Sequence, residues 1–120
     1  MSIFDTLTSA VEKHPEVNDE QHSTLLKSAM EMFGNSGGLS SLMNNAESQD
    51  LGHIVGSWIG TGSNQSISPD QVQRMVGEDR VNQLANRAGV SSGVAGAALA
   101  RMLPVLVDKL TPHGKLPQAA

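Results

Sequence analysis

The chain predicts an all-α fold, and three observations carry that prediction. Apolar residues recur three and four positions apart through most of its 120 residues, the spacing that lines up one face of a helix. No stretch alternates apolar and polar residues in the way a half-buried strand does. The aromatic side chains are Phe4, Phe33 and Trp58 with no Tyr, so Leu, Val, Ile, Met and Ala must build the core. That set suits packed helices better than stacked sheets. At 38% apolar and 17% charged, the chain can bury one sizeable core. A single domain is expected over residues 1–110, with a tail over 111–120.

Taken in order, about six or seven short helices are expected. The first starts at Ser2, a cap for the amide of Asp5, and carries Ile3, Phe4, Leu7, Ala10 and Val11 on one stripe. His14-Pro15 stops it, because the residue before a proline is pushed out of the helical region. A second helix begins at Asn18, with Asp19 and Glu20 at the positive end of its dipole. Its stripe is Leu25, Leu26, Ala29, Met30 and Phe33, and Gly34 is placed to end it. Residues 34–41, rich in Gly and Ser, read as a flexible joint. Two short helices follow, one with Leu39, Leu42, Met43 and Ala46, the other with Leu51, Ile54, Val55, Trp58 and Ile59. Residues 60–67 read as a loop.

Punctuation is stronger further on. Ser68-Pro69-Asp70-Gln71 combines an N-cap, a proline at the first helical position and a capping-box glutamine. Val72, Met75 and Val76 face inward before Gly77; Val81, Leu84, Ala85 and Ala88 do so before Gly89. Ser91 then caps the longest helix, whose Ala95, Ala98, Leu99, Met102, Leu103, Leu106, Val107 and Leu110 keep the helical period. Pro104 falls off that stripe and deletes the bond to the carbonyl of Ala100.

Several short motifs occur in a fixed order between Ile54 and Pro117: Val55-Gly-Ser-Trp-Ile-Gly-Thr-Gly-Ser-Asn64, Ile67-Ser68-Pro69, Leu103-Pro104, and Val107-Asp-Lys-Leu-Thr-Pro112 with Gly114 and Leu116-Pro117. In this combination the chain resembles the YidB family of small bacterial proteins. The resemblance implies a compact array of short helices with a homeodomain-like, helix–turn–helix-like C-terminal half. It implies no activity. One departure is Ser66, where proline is expected before Ile67-Ser68; it bears only on loop stiffness.

Composition removes several chemistries. There is no cysteine, which excludes disulfides, thiolate metal sites and cysteine nucleophiles. Residues 1–5 lack the basic and apolar runs of a secretory signal, and no run approaches eighteen apolar residues, so a cytoplasmic protein without a membrane span is expected. Residues 1–65 carry two lysines against eight acids, a net of −6, whereas residues 66–120 carry six basic residues against four acids, a net of +2.

Each local motif has a structural reading beside its functional one. Gly89-Val90-Ser91-Ser92-Gly93 spells the hydrolase elbow G-x-S-x-G, but that elbow needs a strand before the serine, and Ser91 as a helix cap accounts for the same letters. Gly60-Thr61-Gly62-Ser63 lacks the lysine and preceding strand of a phosphate loop. His14, His22, His53 and His113 stand singly, with no ligand spacing among them. No catalytic, cofactor or metal set is predicted.

Leu84-Ala85-x-x-Ala88-Gly89-Val90-Ser91 has the spacing of a helix–turn–helix. Its second helix opens Ser92-Gly-Val-Ala-Gly-Ala-Ala98, with almost no side chain able to bond a base edge. The reading is a non-enzymatic protein-interaction module that binds a partner protein or itself. Its candidate surface is Trp58, Ile59, Gly60, Gly62 and Asn64, although Trp58 also fits a core anchor. The alternative is a DNA-binding protein using residues 68–110, with contacts from Arg74, Arg80, Arg87 and Arg101.

Overall fold

A computed structural model describes residues 7, 9–34, 36–59 and 64–111. Among them are six helices and no strand: α1 (Asp19–Phe33), α2 (Ser36–Ser48), α3 (Gly52–Ile59), α4 (Pro69–Val76), α5 (Glu78–Ala88) and α6 (Ser92–Leu110). The expected Ser2 start of the first helix lies outside the described residues. Leu7, Ser9 and Ala10 are helical, and Leu7 and Val11 are buried.

The caps form where the side chains predict them. Asn18 accepts from the amide of Gln21 at 2.7 Å, and the Gln21 side chain returns the bond to the Asn18 amide at 2.9 Å. Ser68 and Gln71 make the same reciprocal pair, with Pro69 at a position where its missing N–H costs nothing. Each box satisfies two amides that a helix start otherwise leaves open. Ser91 accepts from the amide of Val94 at 3.2 Å, opening α6.

Helix α6 is the central post. It packs against α1, α3, α4 and α5, while α2 closes over α1, α3 and α4. Leu99, Met102, Leu103, Leu106 and Val107 are buried among these helices. Pro104 is buried as well, not placed off the stripe. With neighbours on several sides, the buried sector of α6 is wider than one stripe, and the helix runs through the proline without ending. The core is continuous from Leu7 to Val107.

Two expected boundaries differ. Residues 36–41 are not a joint but the first turns of α2. Two glycines cost a helix roughly 1 kcal/mol each, but burial of Leu39, Leu42 and Ala46 outweighs that. Gly38 also approaches the Met32 carbonyl so closely that a Cβ there would collide with it. Thr111, expected to begin the tail, is buried and donates its hydroxyl to the Val107 carbonyl at 2.7 Å. Residues 112–120 lie outside the described residues. No single helix among the described residues is long and apolar enough to cross a membrane.

Between α5 and α6 the chain bends by 99°. Gly89 makes the bend with φ +74°, and the amides of Gly89 and Val90 both reach the Ala85 carbonyl. A Cβ at Gly89 meets open space but must adopt a left-handed backbone, so Gly89→Ala is expected to destabilise by about 1 kcal/mol. At Gly96 a Cβ would stand 3.7 Å from Pro69, an ordinary contact in an ordinary helical backbone. Gly96→Ala is therefore expected to be neutral or stabilising by up to about 1 kcal/mol. Urea melts of the two variants check the contrast, and an equal loss in both would contradict it.

Candidate functional site

The surface predicted around Trp58 is divided by the fold. The Trp58 side chain is 0% exposed and its indole N–H donates to the Gln65 carbonyl at 2.7 Å. It offers no face to a partner, which corrects its place in the candidate surface. Ile59 is half-buried and Asn64 exposed, while Gly60 and Gly62 lie outside the described residues. The Asn64 amide donates to the Pro104 carbonyl at 3.3 Å, and the Gln65 amide donates to the Ser57 hydroxyl at 2.9 Å. Ser57, Trp58, Asn64 and Gln65 thus staple both sides of the 60–63 segment to the core.

This explains the ordered motifs. Trp58 and Asn64 come from the first, Pro69 from the second and Pro104 from the third. In the fold, the first is tied to the third by the Asn64 bond, and Pro69 lies beside Gly96 on the same helix. Ile67 is buried between them in sequence. The described parts of these motifs build a joint between α3, α4 and α6.

The four arginines do not form one patch. Arg101 reaches back to the N-terminal segment, donating to the Lys13 carbonyl at 3.3 Å with Glu12 4.0 Å away. That tie points it toward the N-terminal segment, with its side chain still 39% exposed. Arg74 is exposed on α4. Only Arg80 and Arg87, seven residues apart on α5, come together: with Met32, Gln83 and Leu84 they line a groove of about 310 Å³ between α1 and α5. Neither has a hydrogen bond or ion pair among the described residues. Arg87 also borders an adjoining hollow lined by Asn18, Glu20, Gln21, Thr24 and Ala88. The floor is fixed by the Gln21 side chain donating to the Gly89 carbonyl at 3.4 Å.

Met32 and Gln83 were not legible as site residues. The seven-residue spacing of Arg80 and Arg87 is visible in the sequence, but nothing local says that α1 lies opposite α5.

The helix–turn–helix has the right bend and the wrong face. Ser92 donates its hydroxyl to the Asn82 side chain, and Ala95, Gly96 and Ala98 are buried. Gly93 is exposed but carries no side chain. The scattered histidines stay apart: the amide of Glu16 donates to His14 Nδ1 at 3.1 Å, His53 is exposed, and His113 lies outside the described residues. His22 is buried, and its Nε2 has no hydrogen-bond partner among the described residues. No group of three metal-ligating side chains occurs among the described residues. Asp19 is held below its ordinary carboxylate pKa by the hydrogen bond and charge of Lys13, 2.9 Å away, an exposed pair that orders the entry to α1.

Comparison with known proteins agrees with the all-α fold. The family model described as YidB-like protein matches residues 21–119. The chain is 35% identical over 85 residues to the Escherichia coli (strain K12) protein named "Uncharacterized protein YidB". That match covers 69% of this chain and 64% of the relative, so it spans less than two thirds of the relative's length. A solved structure from Shigella flexneri, described as a homeodomain-like protein of unknown function, superposes with a TM-score of 0.68 at 29% identity. The superposition covers 80% of this chain and 73% of that one.

Removing the anchor of the α3–α4 joint tests its role. Trp58→Ala is expected to lose about 3–5 kcal/mol of stability by urea unfolding. Wild-type tryptophan emission is expected at the short wavelength of a buried indole. Near-normal stability in the variant, with water-exposed emission in the wild type, would contradict the anchor.

Proposed function

The chain belongs to the YidB-like family, and from the surface its helices present we propose that it is a non-enzymatic module that binds another polypeptide. The α1–α5 groove carries this reading. It is a shallow concavity with apolar atoms from Met32 and Leu84 and polar groups from Arg80, Gln83 and Arg87. Arginine beside apolar surface is the pairing enriched at protein interfaces. The groove is set between two rigid helices, so a partner need not pay to order it.

DNA binding has less support. A reading helix must project Arg, Lys, Asn or Gln from its first two turns into the major groove. Here those turns carry Ser, Gly, Val and Ala, and the serine is already bonded to Asn82. Phosphate neutralisation needs several basic groups on one face, whereas Arg101 is engaged elsewhere.

A photo-crosslinking residue at Gln83, in the native host, tests the interaction reading, with the exposed Gly93 as the control position. Crosslinks to protein are expected from Gln83 and not from Gly93. Crosslinks to nucleic acid from Gly93, together with a submicromolar, sequence-selective gel shift lost on Arg87→Glu, would overturn it. Affinity for random duplex DNA is expected no tighter than about 10⁻⁴ M at physiological salt.

A further inference from the structure

The geometry points to a particular occupant for the α1–α5 groove: an acidic amphipathic helix of a partner polypeptide, with two carboxylates about seven residues apart flanking an apolar side chain. This rests on the interaction reading and narrows it to one partner chemistry.

Arg80 and Arg87 are separated by two turns of α5, a rise of about 10.5 Å. A partner helix lying along α5 repeats its side chains at the same interval. One carboxylate per two turns therefore meets one guanidinium, each able to take it in a two-pronged bond. Between the arginines, Gln83 supplies an amide that donates and accepts. Met32, half-buried at the groove, supplies the apolar contact, since Leu84 beneath it is buried in the core, and an unbranched Met side chain adjusts to the shape above it. This is the helix-in-groove mode of recognition, with anchors repeated along one face.

Acidic residues border the groove at both ends. Glu20 lines the hollow beyond Arg87, and Glu31 is exposed on α1 near the same edge by helical position. On α5, Asp79 is exposed one residue before Arg80, while Glu78 lies on the opposite side of the helix by its 160° offset from Arg80. Lys27 is exposed between Glu20 and Glu31 along α1. A ligand thus meets positive charge at the two arginines, which have no ion pair among the described residues, with Asp79 beside Arg80 and Glu20 beyond Arg87. Its acidic residues belong over Arg80 and Arg87, and a neutral or basic residue over Glu20. A strand of phosphates, negative throughout, is repelled at that end.

The test uses the full chain and three fluorescein-labelled probes read by anisotropy at low salt. The first is a helical peptide of about 18 residues with a leucine stripe and glutamates seven apart. The second is its lysine analogue, and the third a random DNA duplex of about 20 base pairs. The acidic peptide is expected to bind saturably and to weaken with added salt. Affinity should fall at least about tenfold for Arg80→Glu/Arg87→Glu, while Arg74→Glu, outside the groove, binds like the wild type. The lysine analogue should gain affinity for the double variant. Circular dichroism confirms that the variants are folded.

Failure of the acidic peptide to bind, or binding that ignores the double substitution, overturns the proposal. So does tighter binding of the duplex through the same two arginines. A concentration-dependent mass in sedimentation, abolished by the double substitution, would assign the groove to a second copy instead. Crosslinking of Gln83 to a protein, with no preference for the acidic peptide, would leave the interaction reading standing and remove this one.

Discussion

Helix α6 has to satisfy four neighbours at once, and the rest of the structure follows from that requirement. Because α1, α3, α4 and α5 all lie against it, its buried sector takes in Ala95, Leu99, Met102, Leu103, Pro104 and Leu106. Small residues fill the first turns, where α4 crosses near Gly96 and Pro69, and large ones fill the middle. The 99° bend at Gly89 sets α5 across the start of the post, and the Arg101 bond to the Lys13 carbonyl draws the N-terminal segment onto it. A helix–turn–helix usually frees its second helix for a groove in DNA. Here most of that helix is committed to the core.

The same commitment explains what the family motifs encode. A run such as Gly-Ser-Trp-Ile-Gly-Thr-Gly-Ser-Asn looks like a site because it joins an aromatic, glycines and hydroxyls in nine residues. Its described side chains point inward or along the backbone. Trp58 fills the core and holds Gln65, Ser57 accepts the Gln65 amide, and Asn64 holds Pro104. On α1 and α5, by contrast, the Arg80 and Arg87 guanidiniums, without an ion pair among the described residues, stand beside Met32 at the surface.

Local signals were readable and long-range ones were not. Asn18, Ser68, Ser91, Gly77 and Gly89 marked helix ends because capping depends on residues within a few positions. The glycine pair at 37–38 misled because intrinsic propensity pointed to a joint, and tertiary burial of Leu39 and Leu42 overrode it. Pro104 misled for a related reason: a single stripe assumes one neighbour, and α6 has four. The α1–α5 groove was invisible because Met32 and Gln83 are some fifty residues apart in sequence, and no local pattern encodes their meeting. The bent helix–turn–helix was legible as spacing, but the commitment of its second helix depended on contacts from the other half of the chain.

Native-state hydrogen exchange across α6 tests this account most directly. If the helix is the central post, the amides of its buried middle, from Ala98 through Leu106 apart from Pro104, exchange only when the whole chain unfolds. Their exchange free energies then equal the global stability measured by urea. Exchange of these amides through local opening, with free energies well below the global value while α1 and α4 remain protected, would contradict it.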